Sequence, residues 1–157
     1  MKRDKNLVAL SRDHHHGLLL GWKVRQGLKN NVSTSLIAEY ILYFYEAALL
    51  PHFGEEEQQI LTFLDDDNEM KLKTIDDHRK ISGLINSLNN GSADSRSFLE
   101  IASTLDEHIR FEERQLFPYL QEKLSSKQLD EMGQAIERIH HPFVDTFHTD
   151  FWTVSKN

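Results

Sequence analysis

Apolar residues recur every three or four positions along most of this chain, the spacing of a helix that buries one face. The first such stripe ends at Asn30-Asn31, residues that favour the end of a helix. Ser33-Thr34-Ser35 then offers cap residues for a second segment that continues to Phe63. Pro51 lies inside that segment, and its missing N–H predicts a kink just before His52 unless two shorter helices meet there.

Three further helices are predicted on the same grounds, over about Glu69–Leu88, Phe98–Leu120 and Leu129–Ile139. Turn-forming and capping residues separate them. After Pro142, the residues 143–152 keep apolar side chains at helical spacing, but the proline leaves their conformation open.

The pattern predicts an all-α protein. No run of strict apolar and polar alternation is bounded by turn residues, and seven glycines and three prolines are few for 157 residues. No linker or low-complexity tract interrupts the chain. Residues 1–157 are therefore predicted to form a single domain, large enough for its own core.

Composition limits which metal sites and which partners are possible for this chain. The chain has no cysteine, so a bound metal must be held by nitrogen and oxygen, which excludes iron–sulfur clusters and zinc fingers. The net charge of −7 without a basic cluster argues against nucleic acid and against an anionic membrane surface as partners. No stretch approaches the roughly 20 apolar residues of a membrane span, and the start lacks an apolar leader. A soluble, cytoplasmic protein is expected.

One short phrase occurs twice, as His52-x-x-x-Glu56 and His108-x-x-x-Glu112, each followed by an apolar run. Residues four apart share one face of a helix, so each phrase points an imidazole and a carboxylate the same way. Two such helices would aim four ligands at one point in a bundle core, where helical proteins build dinuclear metal sites.

Each of the first four predicted helices carries a histidine on its apolar stripe, and two of these helices add a glutamate one turn later. A lone histidine there is usually an ordinary core residue, but four in register are different. Buried carboxylates repel one another and are costly to desolvate, and a metal ion offsets both effects. The predicted metal ligands are His14, His52, Glu56, His78, His108 and Glu112.

The order of these residues, with Glu113-Arg-Gln-Leu-Phe-Pro118 after the last pair, resembles the hemerythrin-like, or HHE cation-binding, domain. The resemblance implies an up-and-down antiparallel four-helix bundle with an additional C-terminal helix, enclosing two non-haem iron ions. Glu56 and Glu112 would bridge the metals, and the four histidines would be terminal ligands. Imidazole with carboxylate also suits zinc or manganese.

Two departures from the oxygen-carrying members bear on function. In those members the third helix has a second histidine one turn after its ligand, and this chain has Ser82 there. Their fourth helix has an aspartate five residues after its histidine, whereas this chain has Glu112 four residues after His108. The reduced set is similar to intracellular HHE proteins associated with iron, oxygen, nitric oxide or redox sensing. Either His15, His140 or His141 could supply a fifth nitrogen.

The choice among His14, His15 and His16 is open on spacing, with His14 preferred because Gly17 continues its face. The acidic residues just before three histidines, Asp13, Asp77 and Glu107, point off the ligand face by about 100° and are expected to be solvated helix charges.

These features favour a protein that binds or senses O2, nitric oxide, peroxide or redox state over an enzyme. One alternative is a structural zinc or iron staple in a helical interaction module. A ferritin-like di-iron oxidase would need Glu-x-x-His on two helices, and only Glu137-Arg-Ile-His140 has that spacing.

Overall fold

The computed structural model describes residues 2–153, and these residues form helices without any strand. Helices α1 to α4 make an up-and-down antiparallel four-helix bundle, and α5 is the additional C-terminal helix. The bounds are Val8–Lys29 for α1, 34–63 for α2, Glu69–Asn86 for α3, 95–123 for α4 and Ser126–Ile139 for α5. No helix of this described part is both long and apolar enough to cross a membrane. The all-α prediction is confirmed.

Polar side chains cap the helices close to where the sequence predicts. The Ser33 hydroxyl accepts a hydrogen bond from the Leu36 N–H and begins α2. Asn68 and Asp94 cap α3 and α4 in the same way. At α5, Ser125 and Gln128 form a reciprocal capping box. These local signals explain why the helix starts were predictable.

Two helices widen into π turns, which span Tyr45–Leu49 and Glu56–Ile60 in α2 and Glu112–Leu116 in α4. Pro51 and Pro118 each follow one of these turns by two residues. A proline has no N–H to give to the carbonyl one turn earlier, and a wider turn changes which groups pair. The helical run of α2 therefore continues past Pro51 instead of dividing into two helices.

The core consists of two apolar clusters with a polar layer between them. Leu20, Phe44 and Ile109 belong to the larger cluster. Leu10 and Leu116 belong to the smaller one, toward the opposite end of the bundle. On each of α1 to α4, the buried histidine and glutamate positions lie near the point where residues of one cluster give way to residues of the other, and the four helices bring these polar groups to the same level.

After α5 the chain is not helical until a short 3-10 turn at Phe151–Thr153. We call residues 140–153 the C-terminal segment. Phe151 is fully buried against the bundle, and Asp145 accepts hydrogen bonds from Lys23 and Tyr40. The aromatic residues of this segment thus pack on the bundle without forming the helix that their spacing allowed.

Candidate metal centre

The structure brings the six predicted ligand residues together at one level of the bundle. They form two groups, one with His14 and His52 and the other with His78 and His108, and both groups include Glu56 and Glu112. Within each group, one nitrogen or oxygen atom per residue lies within 4.8 Å of all the others. Two metal-binding positions that share two carboxylates are the arrangement expected for a dinuclear centre.

The outer nitrogen of each of these histidines contacts a carboxylate from a neighbouring helix. The Nδ1–oxygen distances are 2.8 Å for His52 to Asp13, 2.8 Å for His78 to Glu57, 2.9 Å for His108 to Asp77 and 2.7 Å for His14 to Glu113. The four pairs close a cycle, because α1 supports α2, α2 supports α3, α3 supports α4, and α4 supports α1.

This cycle orients the inner nitrogens. An imidazole that donates its Nδ1–H to a carboxylate presents the Nε2 lone pair on its other side, which is the form that binds a metal. His14 Nε2 and His52 Nε2 face each other at 3.2 Å, and His14 Nε2 is 2.8 Å from Glu112 Oε1. Acceptor atoms this close repel one another unless a cation or proton lies among them.

The expectation that Asp13 and Asp77 are solvated helix charges is wrong. Both are partners of histidines, whereas Glu107 is exposed as expected. A residue next to a ligand in sequence points about 100° away from it around the helix, and in a bundle that direction leads to the adjacent helix. Glu57, which contacts His78, was not predicted from the sequence because it too points toward the adjacent helix. Each of the four supporting carboxylates is an immediate sequence neighbour of a ligand, and this position was the signal that could have found them.

Several buried atoms in the polar layer have no hydrogen-bond partner. Among residues 2–153, seven buried side-chain atoms are without one, and five of them belong to Glu56, His78, His108 and Glu112. His52 Nε2 lies 2.8 Å from Glu56 Oε1 but is not aligned for a hydrogen bond. Buried polar atoms nearly always have a hydrogen-bond partner. A cluster of carboxylate oxygens and imidazole nitrogens without one therefore fits a bound cation, which would bind to these atoms.

The pKa values of the histidines in the first group, His14 and His52, also fit a bound cation. Burial lowers the pKa of His14, but hydrogen bonds to Glu112 and Glu113 outweigh it and raise that pKa to about 9. For His52 the effect of burial is also outweighed, chiefly by the charge of Glu56, and its pKa lies well above the ordinary value. The carboxylates thus favour positive charge strongly, whether a proton or a metal ion supplies it.

The two shared carboxylates behave as a coupled pair. Burial opposes the ionisation of both, yet the charge of His52 holds the pKa of Glu56 well below its usual value. Burial and then the charge of Glu56 raise the pKa of Glu112. The two carboxylates repel each other when both are ionised, and a cation held between them would offset this repulsion.

The remaining histidines lie outside both groups. His15 is exposed, and His16 is half-buried against Phe143. His140 contacts Asp13 and Glu55 instead of the six residues. Among the described residues, His14 is thus the one of its three that joins the cluster, and no fifth imidazole accompanies the four.

A small cavity adjoins the cluster. Its volume is about 30 Å³, enough for one or two water-sized molecules. Its wall includes three histidines of the cluster, His14, His52 and His108, and is otherwise mostly apolar, with Gly17 and Phe143 among its residues. Phe143 belongs to the C-terminal segment, which therefore helps to close the cavity.

The Hemerythrin HHE cation binding domain is the family whose sequence model matches this chain, over residues 6–120. The matched part contains all six clustered residues and the four carboxylates that support the histidines. The chain belongs to this family. No curated protein and no solved structure gives a significant match.

Proposed function

We propose that the chain binds two non-haem iron ions and that this centre binds or senses a small ligand such as O2, nitric oxide or peroxide. His14 and His52 would hold one ion, His78 and His108 the other, and Glu56 and Glu112 would bridge them. The observation that carries the proposal is the cluster of unpaired buried atoms in two four-residue groups that share Glu56 and Glu112.

The donor set supports iron. Imidazole nitrogen with carboxylate oxygen suits iron, zinc and manganese, and no softer ligand is available in a chain without cysteine. When bound, iron would supply a redox-active centre, with coordination positions left open because four histidines and two shared carboxylates do not saturate two ions. The residues themselves fix the imidazole tautomers and keep water away from the centre.

The cavity supports a small ligand. Its volume of about 30 Å³ admits a diatomic molecule or peroxide and excludes a sizeable organic substrate. Its wall combines three histidines of the cluster with apolar groups such as Phe44 and Ile109. A small ligand in the cavity would therefore lie against the histidines of the centre.

Metal analysis with optical spectroscopy tests the proposal. Protein prepared with or without air should contain two irons per chain. The aerobic protein should show a ferric charge-transfer band that changes with azide or peroxide, and the anaerobic, ferrous protein should lack that band until O2 or nitric oxide is added. His108→Ala should lower the bound metal sharply. His148→Ala is the matched control, because His148 also faces a carboxylate, Glu39 at 3.1 Å, but on the surface.

Two outcomes would change the proposal. Two full equivalents of metal in His108→Ala would show that the ligands are misassigned. Zinc occupancy without visible absorption would favour a structural staple, for which the exposed Trp22 beside Trp152 offers an apolar contact surface.

A further inference from the structure

A third group of metal-competent side chains lies beside the dinuclear cluster. It consists of Asp13 from α1, Glu55 from α2 and His140, the residue that ends α5. One ligand atom from each lies within 4.8 Å of the other two. Asp13 and Glu55 immediately precede His14 and Glu56, so the same two helix turns supply both the inner cluster and this outer group.

The geometry leaves room for a cation. His140 Nδ1 is 2.8 Å from Glu55 Oε2, while His140 Nε2 is 3.5 Å from Asp13 Oδ1, too far for a good hydrogen bond. Asp13 uses its other oxygen, Oδ2, to hold His52. Its Oδ1 therefore faces the outer group without a close partner of its own.

Charge gives a second reason. The side chains of Asp13, Glu55 and His140 are only 16%, 8% and 10% exposed. Among the described residues, neither carboxylate forms an ion pair with a lysine or arginine, so imidazoles are their only basic partners. Within the outer group, two largely buried carboxylates share the one imidazole of His140, while the second imidazole at Asp13 belongs to His52 of the inner cluster. A divalent cation would neutralise the negative charge of the two carboxylates.

We propose that Asp13, Glu55 and His140 form a third cation site, which takes a divalent first-row transition metal and completes its coordination with water. One imidazole and two carboxylates suit iron(II), manganese, cobalt or zinc. Because Asp13 binds this ion through one oxygen and His52 through the other, the site is joined to the dinuclear centre by a single carboxylate.

The site differs from the family centre in one important respect. His140 lies beyond the matched residues 6–120, so the third ligand comes from the part of the chain that the family does not describe. The ion would also fasten the start of the C-terminal segment to α1 and α2. Metal occupancy and the position of this segment are therefore expected to change together.

Metal counting with Co²⁺ tests the proposal on the full chain. After anaerobic dialysis against excess Co²⁺, the wild type should hold three equivalents, and the third should be released first as free Co²⁺ falls. His140→Ala should hold two, and His148→Ala should still hold three. A wild type that saturates at two, or a His140→Ala variant that still holds three, overturns the third site.

Glu55→Gln guards against a folding artefact, because the amide can still accept a hydrogen bond from His140 but lacks the charge. It should also hold two equivalents, with the circular dichroism spectrum of the wild type. Retention of three would again contradict the proposal. Failure of the dinuclear centre would give a different result from failure of the third site. It would leave both the wild type and His140→Ala with fewer than two equivalents of Co²⁺.

Discussion

Each histidine of the centre depends on a carboxylate that a different helix supplies. Asp77 precedes His78 in sequence but contacts His108, and Asp13 precedes His14 but contacts His52. The periodicity of the apolar stripe predicted the inward-facing histidines because that pattern is local to one helix. It could not predict their partners, because those contacts depend on which helices are neighbours and at what level.

Replacement of Asp77 by asparagine should weaken metal binding by roughly 10- to 100-fold, the usual effect of losing a ligand's supporting carboxylate. The amide still accepts a hydrogen bond from His108 but no longer raises the basicity of the ring. Competition with a chromogenic chelator would measure the affinity. Glu107→Gln is the control, since Glu107 also adjoins a ligand but is exposed. Equal affinities for the two variants would show that the cycle of carboxylates does not support the centre.

At the level of elements, the helices themselves were largely predictable. Predicted α3 and α5 match the observed Glu69–Asn86 and Ser126–Ile139 within a few residues, because caps and stripes are written locally. The π turns were not predicted, since no residue pattern distinguishes them from the surrounding helix. Two of them begin at Glu56 and Glu112, so the wider turn starts at the residue shared by both metal groups.

Gly17 marks the closest approach of α1 to α4. A Cβ there would come within 2.6 Å of Ile109 Cδ1, whereas a Cβ at Gly54 would meet nothing within 4 Å. Gly17→Ala should therefore destabilise the protein by about 1–3 kcal/mol through overpacking. Gly54→Ala should stabilise it by about 0.5–1 kcal/mol, because alanine is the better helix former. Urea unfolding at matched metal content measures both, and equal changes would mean that the two helices can separate freely at Gly17.

At the scale of the molecule, the polar layer divides the core into two apolar clusters. A bound cation would join four helices across that layer, so metal binding and folding should be linked. The sequence indicated this layer because the six residues recur at one level of each helix. It left the C-terminal segment open, because the position of that segment is set by contacts distant in sequence, such as Asp145 with Lys23 and Tyr40.

Removal of the metal with a chelator should lower the thermal midpoint by roughly 5–10 °C. Ligand at about 100 times its dissociation constant stabilises a protein by about 2.7 kcal/mol, and each kcal/mol shifts the midpoint by about 2–4 °C at this size. Differential scanning calorimetry before and after chelation measures the shift. His108→Ala should show little change on chelation, and a wild-type midpoint that chelation leaves unaltered would contradict a cation bound in the polar layer.

Asp145 is one of the contacts that hold the C-terminal segment on the bundle, and it gives the attachment of the segment a predictable pH dependence. Burial would raise the pKa of Asp145, but hydrogen bonds from Tyr40, the Phe147 N–H and Lys23 outweigh it and leave that pKa below its ordinary value. A carboxyl whose pKa is lower in the folded state stabilises the fold above its unfolded pKa, and this contribution is lost as the pH falls below about 4. Lys23, only 7% exposed, is then left without its carboxylate partner.

Asp145→Asn should reproduce that loss at neutral pH. We expect greater quenching of tryptophan fluorescence by acrylamide, since Trp152 lies in the segment with its ring over Lys23 Nζ at 4.5 Å. The variant should also lack part of the increase in quenching that the wild type shows between pH 5 and pH 3. Asp150→Asn makes the same charge change at an exposed position of the same segment and should behave as the wild type does. If both variants quench alike at neutral pH, Asp145 does not hold the segment. If only Asp145→Asn quenches more, azide should also reach the metal centre faster in that variant, because Phe143 of the same segment lines the cavity.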